Sequence, residues 1–109
     1  MSRFPPVPNK PNCVSSRADT ADRQHYIEPL AGTLADAKAW IEAQPRTKIL
    51  VEEDGFLHTT FRTAFFGFTD DVHIEVEGDT LHVRSASRVG YGDLGVNRKR
   101  VEALRKALS

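Results

Sequence analysis

Between Thr47 and Ser87 the chain keeps a period of two, and that alternation decides most of its fold. Four runs follow one another: "TKILVEE" (47–53), "FLHTTFRT" (56–63), "DVHIEVE" (71–77) and "TLHVRSAS" (80–87). Successive side chains on a strand point to opposite faces, so each run predicts a strand with one apolar side. Asp54-Gly55 and Gly78-Asp79 are two-residue turn signals, the second suited to a type II′ hairpin. A turn at Gly78-Asp79 sets the register. Val76 then faces Leu81, Glu75 faces His82, Ile74 faces Val83 and His73 faces Arg84. Val72, Ile74, Val76, Leu81 and Val83 share the face to be buried.

An antiparallel meander with one apolar face needs a second layer to cover it. Two stretches supply it. In "GTLADAKAWIEAQP" (32–45) Thr33 is the expected N-cap, Asp36 is a capping-box-like partner three residues on, and Pro45 is the stop. Leu34, Ala37, Trp40 and Ile41 fall on one face, with Trp40 as core anchor. In "LGVNRKRVEALRKALS" (94–109) Asn97, Val101, Leu104 and Leu108 form the inward stripe. Asp93 is the expected helix cap, while Arg98, Glu102 and Arg105 point to water. "HYIEPL" (25–30) reads as a short first strand. The predicted fold class is α+β: a twisted antiparallel sheet of about four to five strands with two helices packed on one face.

Residues 1–16, "MSRFPPVPNKPNCVSS", hold all but two of the six prolines and read as an N-terminal arm. Residues 17–109 form a single domain. Net charge is zero but uneven: residues 28–83 carry four basic and eleven acidic side chains, residues 84–109 seven and two. The acidic middle argues against nucleic-acid binding, which usually needs a basic domain. No apolar run approaches the roughly 20 residues that span a bilayer, and "MSRFPPVPNK" has no secretory apolar core. One cysteine excludes an internal disulfide framework and a multi-cysteine zinc site. A cytoplasmic setting is expected.

Chemistry concentrates in "RSASRVGYGDLGVNRKR" (84–100). "GYGDLG" has the form G-x-G-x-x-G, but a dinucleotide site needs parallel strands on both sides of its helix and an acidic residue about 20 positions on. The preceding strand here belongs to an antiparallel meander, so no nucleotide cofactor is expected. Another anion fits better: glycines allow close backbone approach, a helix start offers free N–H groups, and arginines add forked donors. The anion-binding candidates are Arg88, Gly90, Gly92, Arg98 and Arg100, with the Asp93 cap competing for the same donors. Asp71, Arg84 and Arg88 form a second candidate group. Asp71 opposes Ala86, which makes both arginines its diagonal neighbours in a structural ion-pair cluster. Ser85 and Ser87 have inward parity, and their hydroxyls are expected on backbone.

Cys13 raises the question of a nucleophile, with His25, His58, His73 and His82 as bases. "PNCVSS" carries no cysteine-hydrolase signature, and a small docked anchor is the plainer role. His73 and His82 share a face with Glu75, but no metal site is expected. Phe61 reads as core. Phe65, Phe66 and Phe68 crowd into a connection and offer a contact surface.

"PNCVSS", "FFGFTDDVHIEV" and "RSASRVGYGDLGVNRKRVEALR" together resemble the bacterial and plastid family known as domain of unknown function 1499, over essentially the whole chain from Pro11. The resemblance implies no particular reaction. The sequence therefore predicts a small soluble binding or interaction domain, taking an anionic small molecule or a protein partner at the 84–100 corner. Two alternatives stay open. One is an enzyme acting on an anionic small molecule through Cys13 or Asp70/Asp71 with a histidine. The other is a scaffold subunit using the Phe65–Phe68 surface.

Overall fold

Eight elements follow along the chain in the computed structural model, which describes residues 2–109: β1 (Cys13–Ser15), β2 (Leu30–Ala31), α1 (Leu34–Ala43), β3 (Thr47–Glu53), β4 (Phe56–Arg62), β5 (Thr69–Glu77), β6 (Thr80–Ser87) and α2 (Val96–Leu108). The strands form one antiparallel sheet in the order β1-β6-β5-β4-β3, with β2 also on β6. The fold is α+β. Val76 opposes Leu81, Glu75 opposes His82, Ile74 opposes Val83 and His73 opposes Arg84, the register set by a turn at Gly78. Gly78 has φ +61°, a left-handed conformation in which glycine carries no Cβ penalty.

The sheet has six strands rather than four to five, because two short strands add to the free edge of β6. β1 forms where the prolines end. From Asn12 to Glu28 every residue again has an N–H to offer, and Cys13, Val14 and Ser15 pair with Ala86, Ser85 and Arg84. The strand expected over 25–30 shrinks to Leu30–Ala31. The N–H groups of His25 and Tyr26 turn back onto the Asp22 carbonyl. Arg105 takes the carbonyls of Glu28 and Pro29, leaving them no ladder to join.

Both helices cover the same face. Ala37 and Ile41 from α1, and Val101 and Leu104 from α2, close on Leu57, Phe61, Val72, Ile74, Leu81 and Val83. Each of these side chains larger than Ala37 contributes about 1.5–3 kcal/mol when fully buried. Thr33 caps α1 by accepting the Asp36 N–H at 3.1 Å. Trp40 is only partly buried and sits 6.3 Å from the Phe61 ring, so it flanks the core rather than anchoring it. Val76 likewise misses the core: one residue before the end of β5, it stays exposed. The sheet's other face carries His58, His73, Glu75 and Arg84, and the arm crosses it.

Candidate functional site

Alternation along β4, β5 and β6 sends polar residues to the face away from the helices. Such a face is ordinarily open to water. Here His73, Glu75 and Arg84 are buried. The arm does this. The Ser2 hydroxyl and the Arg3 N–H donate to the Glu75 carboxylate, and the Pro6 carbonyl accepts from Arg84 Nη2 at 2.9 Å. Lys10 is tied down where its carbonyl meets His25 Nε2 at 2.7 Å. Between arm and sheet lies a cavity of about 440 Å³ lined by Pro5, Pro8, Lys10, Asn12, His58, Asp71, His73, Arg84 and Arg88, together with Ala86 and Ser87.

One wall of that cavity is a relay of charge. Arg88 grips Asp71 with two bonds, Nε to Oδ2 at 2.8 Å and Nη2 to Oδ1 at 2.9 Å. Asp71 Oδ1 also meets His58 Nε2 at 2.8 Å. Burial pushes the Asp71 carboxyl upward, but the bonds from Arg88 and His58 outweigh it and hold the pKa below the usual range. The His58 ring stacks on His73 at 4.0 Å. Burial, reinforced by the charges of His58 and Arg84, lowers His73 to about 4, so it is neutral at physiological pH.

The same cavity also holds polar atoms without partners. Three buried side-chain atoms have no hydrogen-bond partner among the described residues: Asn12 Oδ1, His73 Nδ1 and Arg84 Nε. All three residues line this one cavity. An unsatisfied buried polar atom costs about 1–3 kcal/mol, and more when charged. Arg84 is the most exacting of them. The residue is 7% exposed, and its guanidinium donates to the Pro6 carbonyl and pairs with no carboxylate among the described residues. In the sequence-predicted cluster of Asp71, Arg84 and Arg88, only Arg88 bonds the carboxylate. Arg84 points its charge at the cavity's edge instead.

The glycine corner is built differently. Gly90 and Gly95 have φ +88° and +80°, whereas Gly92 stays outside the left-handed region and packs near Pro11. The cap position of α2 falls on Gly95 rather than on the expected Asp93; from two residues earlier, Asp93 Oδ1 accepts the Gly95 N–H at 2.8 Å and Oδ2 the Asn97 N–H at 3.2 Å. The arginines around the corner are engaged. Arg98 bonds the Tyr26 carbonyl at 3.0 Å, and Arg100 bonds Asp70 Oδ2 at 2.9 Å and lies 4.6 Å over the Phe61 ring. Neither faces water freely, and Arg105, expected in solvent, holds the backbone before β2.

The hub of that corner is Asn97, which patterning places in an apolar stripe. It is fully buried. Its Oδ1 accepts from Ser85 Oγ at 2.7 Å and Arg100 Nη1 at 2.9 Å. Its amide reaches Asp93 Oδ2, Ser87 Oγ and the Asn12 carbonyl at 2.6, 3.0 and 3.2 Å. Ser85 and Ser87 thus bond a side chain across the core, not backbone. Much of the 84–100 motif is a buried polar network joining β6, α2 and the chain before β1.

Cys13 is buried, and burial raises its thiol pKa. Its thiol hydrogen-bonds only to the Val14 carbonyl, at 3.8 Å, and no histidine bonds it among the described residues. His25 is held by Asp22 and the Lys10 carbonyl, and His82 by Ser16 and Glu77. Asp70 serves Arg100. Of Asp70 and Asp71, only Asp71 meets a histidine, His58. Phe65, Phe66 and Phe68 are all exposed. The β5–β6 register made the neighbours Asp71, His73 and Arg84 readable; it did not place His58, which the β4–β5 pairing brings against His73, and nothing in the pattern of the strands signals a proline-rich roof above them.

A family model described as "Protein of unknown function (DUF1499)" matches residues 3–108 of the 109. Comparison with curated proteins and with solved structures finds no match. No helix among the described residues is long and apolar enough to cross a membrane.

Proposed function

Since the chain belongs to the DUF1499 family, whose description assigns no activity, we propose from the site alone that it is a binding domain for small anions. The ligand enters between arm and sheet. The observation that carries this reading is the buried, carboxylate-free Arg84, with its open Nε beside the open atoms of His73 and Asn12. A buried guanidinium favours an anionic oxygen, and forked donors suit carboxylate or phosphate. Asn12 Oδ1 accepts only, so the ligand also carries a hydroxyl or other donor. A hydroxycarboxylate or a monoprotonated phosphate meets both demands. Lys10 and Arg88 add positive field at the rim. A cytoplasmic setting suits the free thiol of Cys13.

This places the anion on the sheet face rather than at the glycine corner, where Arg98 and Arg100 already serve protein acceptors. The test is calorimetry and thermal shift with phosphate, malate and an uncharged polyol. The anions should bind in a salt-sensitive way and the polyol should not. Arg84→Met should weaken binding by about tenfold or more, the loss of one charged hydrogen bond. Binding lost in Arg84→Met but kept in Arg98→Ala locates the site in the cavity. The reverse returns it to the corner, and no binding of any anion refutes the reading.

A second reading rests on the Asp71–His58 pair at 2.8 Å. A carboxylate that orients an imidazole is the usual support of a general base. His58 would then take the proton of a bound hydroxyl. Turnover of a bound hydroxy acid or phosphate ester, lost in His58→Gln while binding persists, supports it; its absence leaves a binding domain.

A further inference from the structure

At one end of the sheet two connections project together, residues 63–68 between β4 and β5 and residues 88–95 between β6 and α2. Both carry large apolar side chains at their tips. Phe65 is 96% exposed, Leu94 97%, Phe66 78% and Tyr91 72%. The Phe66 and Phe68 rings stack at 5.4 Å, and with Val89, Leu94 and Val96 they line a groove of about 560 Å³ between the connections. Leu94 is held out in a left-handed backbone, φ +56°, which a branched residue rarely adopts without compensation elsewhere. Soluble surfaces seldom group apolar side chains this way.

Charge around the tips points to the occupant. Arg46, Lys48 and Arg62 lie exposed beside Gly67 along a neighbouring groove, and none pairs with a carboxylate among the described residues. The acids collect at the other end of the strands: Glu52, Glu53 and Asp54 at the β3–β4 hairpin, Glu77 and Asp79 at the β5–β6 hairpin. Glu52, Glu53 and Glu77 are paired there with Lys38, Arg3 and Arg17, so among the described residues the charge that separates is the unpaired one: Asp54 and Asp79 at that end against Arg46, Lys48 and Arg62 at the aromatic tips, where Asp93 also lies. A negatively charged plane turns such a body until the tips face it. A compact protein partner demands no such separation along the whole domain.

We infer that the domain docks on anionic lipid bilayers, inserting Phe65, Phe66 and Leu94 at the headgroup boundary while Arg46, Lys48 and Arg62 meet lipid phosphates and carboxylates. Apolar burial and electrostatic attraction add at such an interface. The docking surface is distinct from the anion cavity.

The experiment is co-sedimentation with vesicles of phosphatidylcholine alone or mixed with phosphatidylserine. The chain should bind the mixed vesicles and largely ignore the neutral ones. Phe65→Ser with Phe66→Ser, both at solvent-exposed positions, should weaken binding by about tenfold or more. Each of Lys48→Gln and Arg62→Gln should weaken it by about fivefold. Phe65→Trp should shift its emission to the blue on mixed vesicles only. Arg84→Met should still sediment; if it does not while the phenylalanine variant does, lipid headgroups are being captured in the cavity and the inference fails. Equal binding to both vesicles, or no binding, also overturns it. So does a concentration-dependent dimer that Phe65→Ser with Phe66→Ser dissolves without any vesicle binding.

Discussion

Replacing Asp70 by alanine should be among the most damaging single changes in this domain. The Asp70 side chain is 3% exposed and that of Arg100 13%, with Oδ2 and Nη2 2.9 Å apart. Removing one member of a buried pair strands the other charge and costs about 3–5 kcal/mol. Arg100 would not be wholly stranded. Its Nη1 keeps Ser85 Oγ at 3.1 Å and Asn97 Oδ1 at 2.9 Å, and the Phe61 ring stays beneath it. The lower end, about 3 kcal/mol, is therefore expected. For a domain of this size that lowers Tm by about 12–24 °C. Urea unfolding followed by Trp40 fluorescence and far-UV circular dichroism measures it directly. The double change Asp70→Leu with Arg100→Met should recover most of the loss, because apolar replacement of a whole buried pair is often neutral. A folded Asp70→Ala variant that loses less than about 1 kcal/mol would show the pair behaving as a surface pair. A double variant no better than the single one would contradict the stranded-charge argument as well.

Arg84→Met should leave the ligand-free protein as stable as before or up to about 2 kcal/mol more stable, since relief of the partnerless Nε offsets the loss of the bond from Nη2 to the Pro6 carbonyl; a clear loss in urea unfolding would mean that Arg84 holds the fold. His73 has its folded pKa lowered from 6.5 to about 4, so between these values the unfolded chain binds the extra proton. Stability from this group is full above pH 6.5 and falls by about 3 kcal/mol as pH drops toward 4. The carboxylates share that sign at lower pH, so the measure is wild type minus His73→Gln, and a flat difference over this window refutes it. Cys13 should react with a thiol reagent only as fast as the native state opens, and rapid labelling of folded protein would contradict its burial.

The sheet was legible from a turn glycine and an alternation. Gly78 fixed one hairpin, and with it every pairing along β5 and β6. Period two then named both faces. The arm was not legible in the same way: prolines announce extended chain but do not say what it lies on. Its attachments, Pro6 to Arg84 and Lys10 to His25, link residues distant in sequence that no local rule connects. Asn97 misled for a related reason. Helical spacing placed it inward, and inward it is, but as a polar hub whose partners come from four separate segments. The anion candidates divide by the same logic. Arg88 and Arg84 sit where the register puts them, while Arg98 and Arg100 are taken up by backbone and carboxylate that only the tertiary fold brings near.

The Asn97 hub also bears on how the chain can fold while it is being made. Its amide reaches the carbonyl of Asn12, 85 residues earlier, and the helix it belongs to supplies Val101 and Leu104 to the core. Until α2 has cleared the ribosome, the inward faces of β5 and β6 have half a cover, and β1 has no locked edge to join. Contacts this distant close late and slowly. A nascent chain halted before residue 96 should therefore remain protease-sensitive and engage chaperones, with protection arriving in one step once α2 emerges.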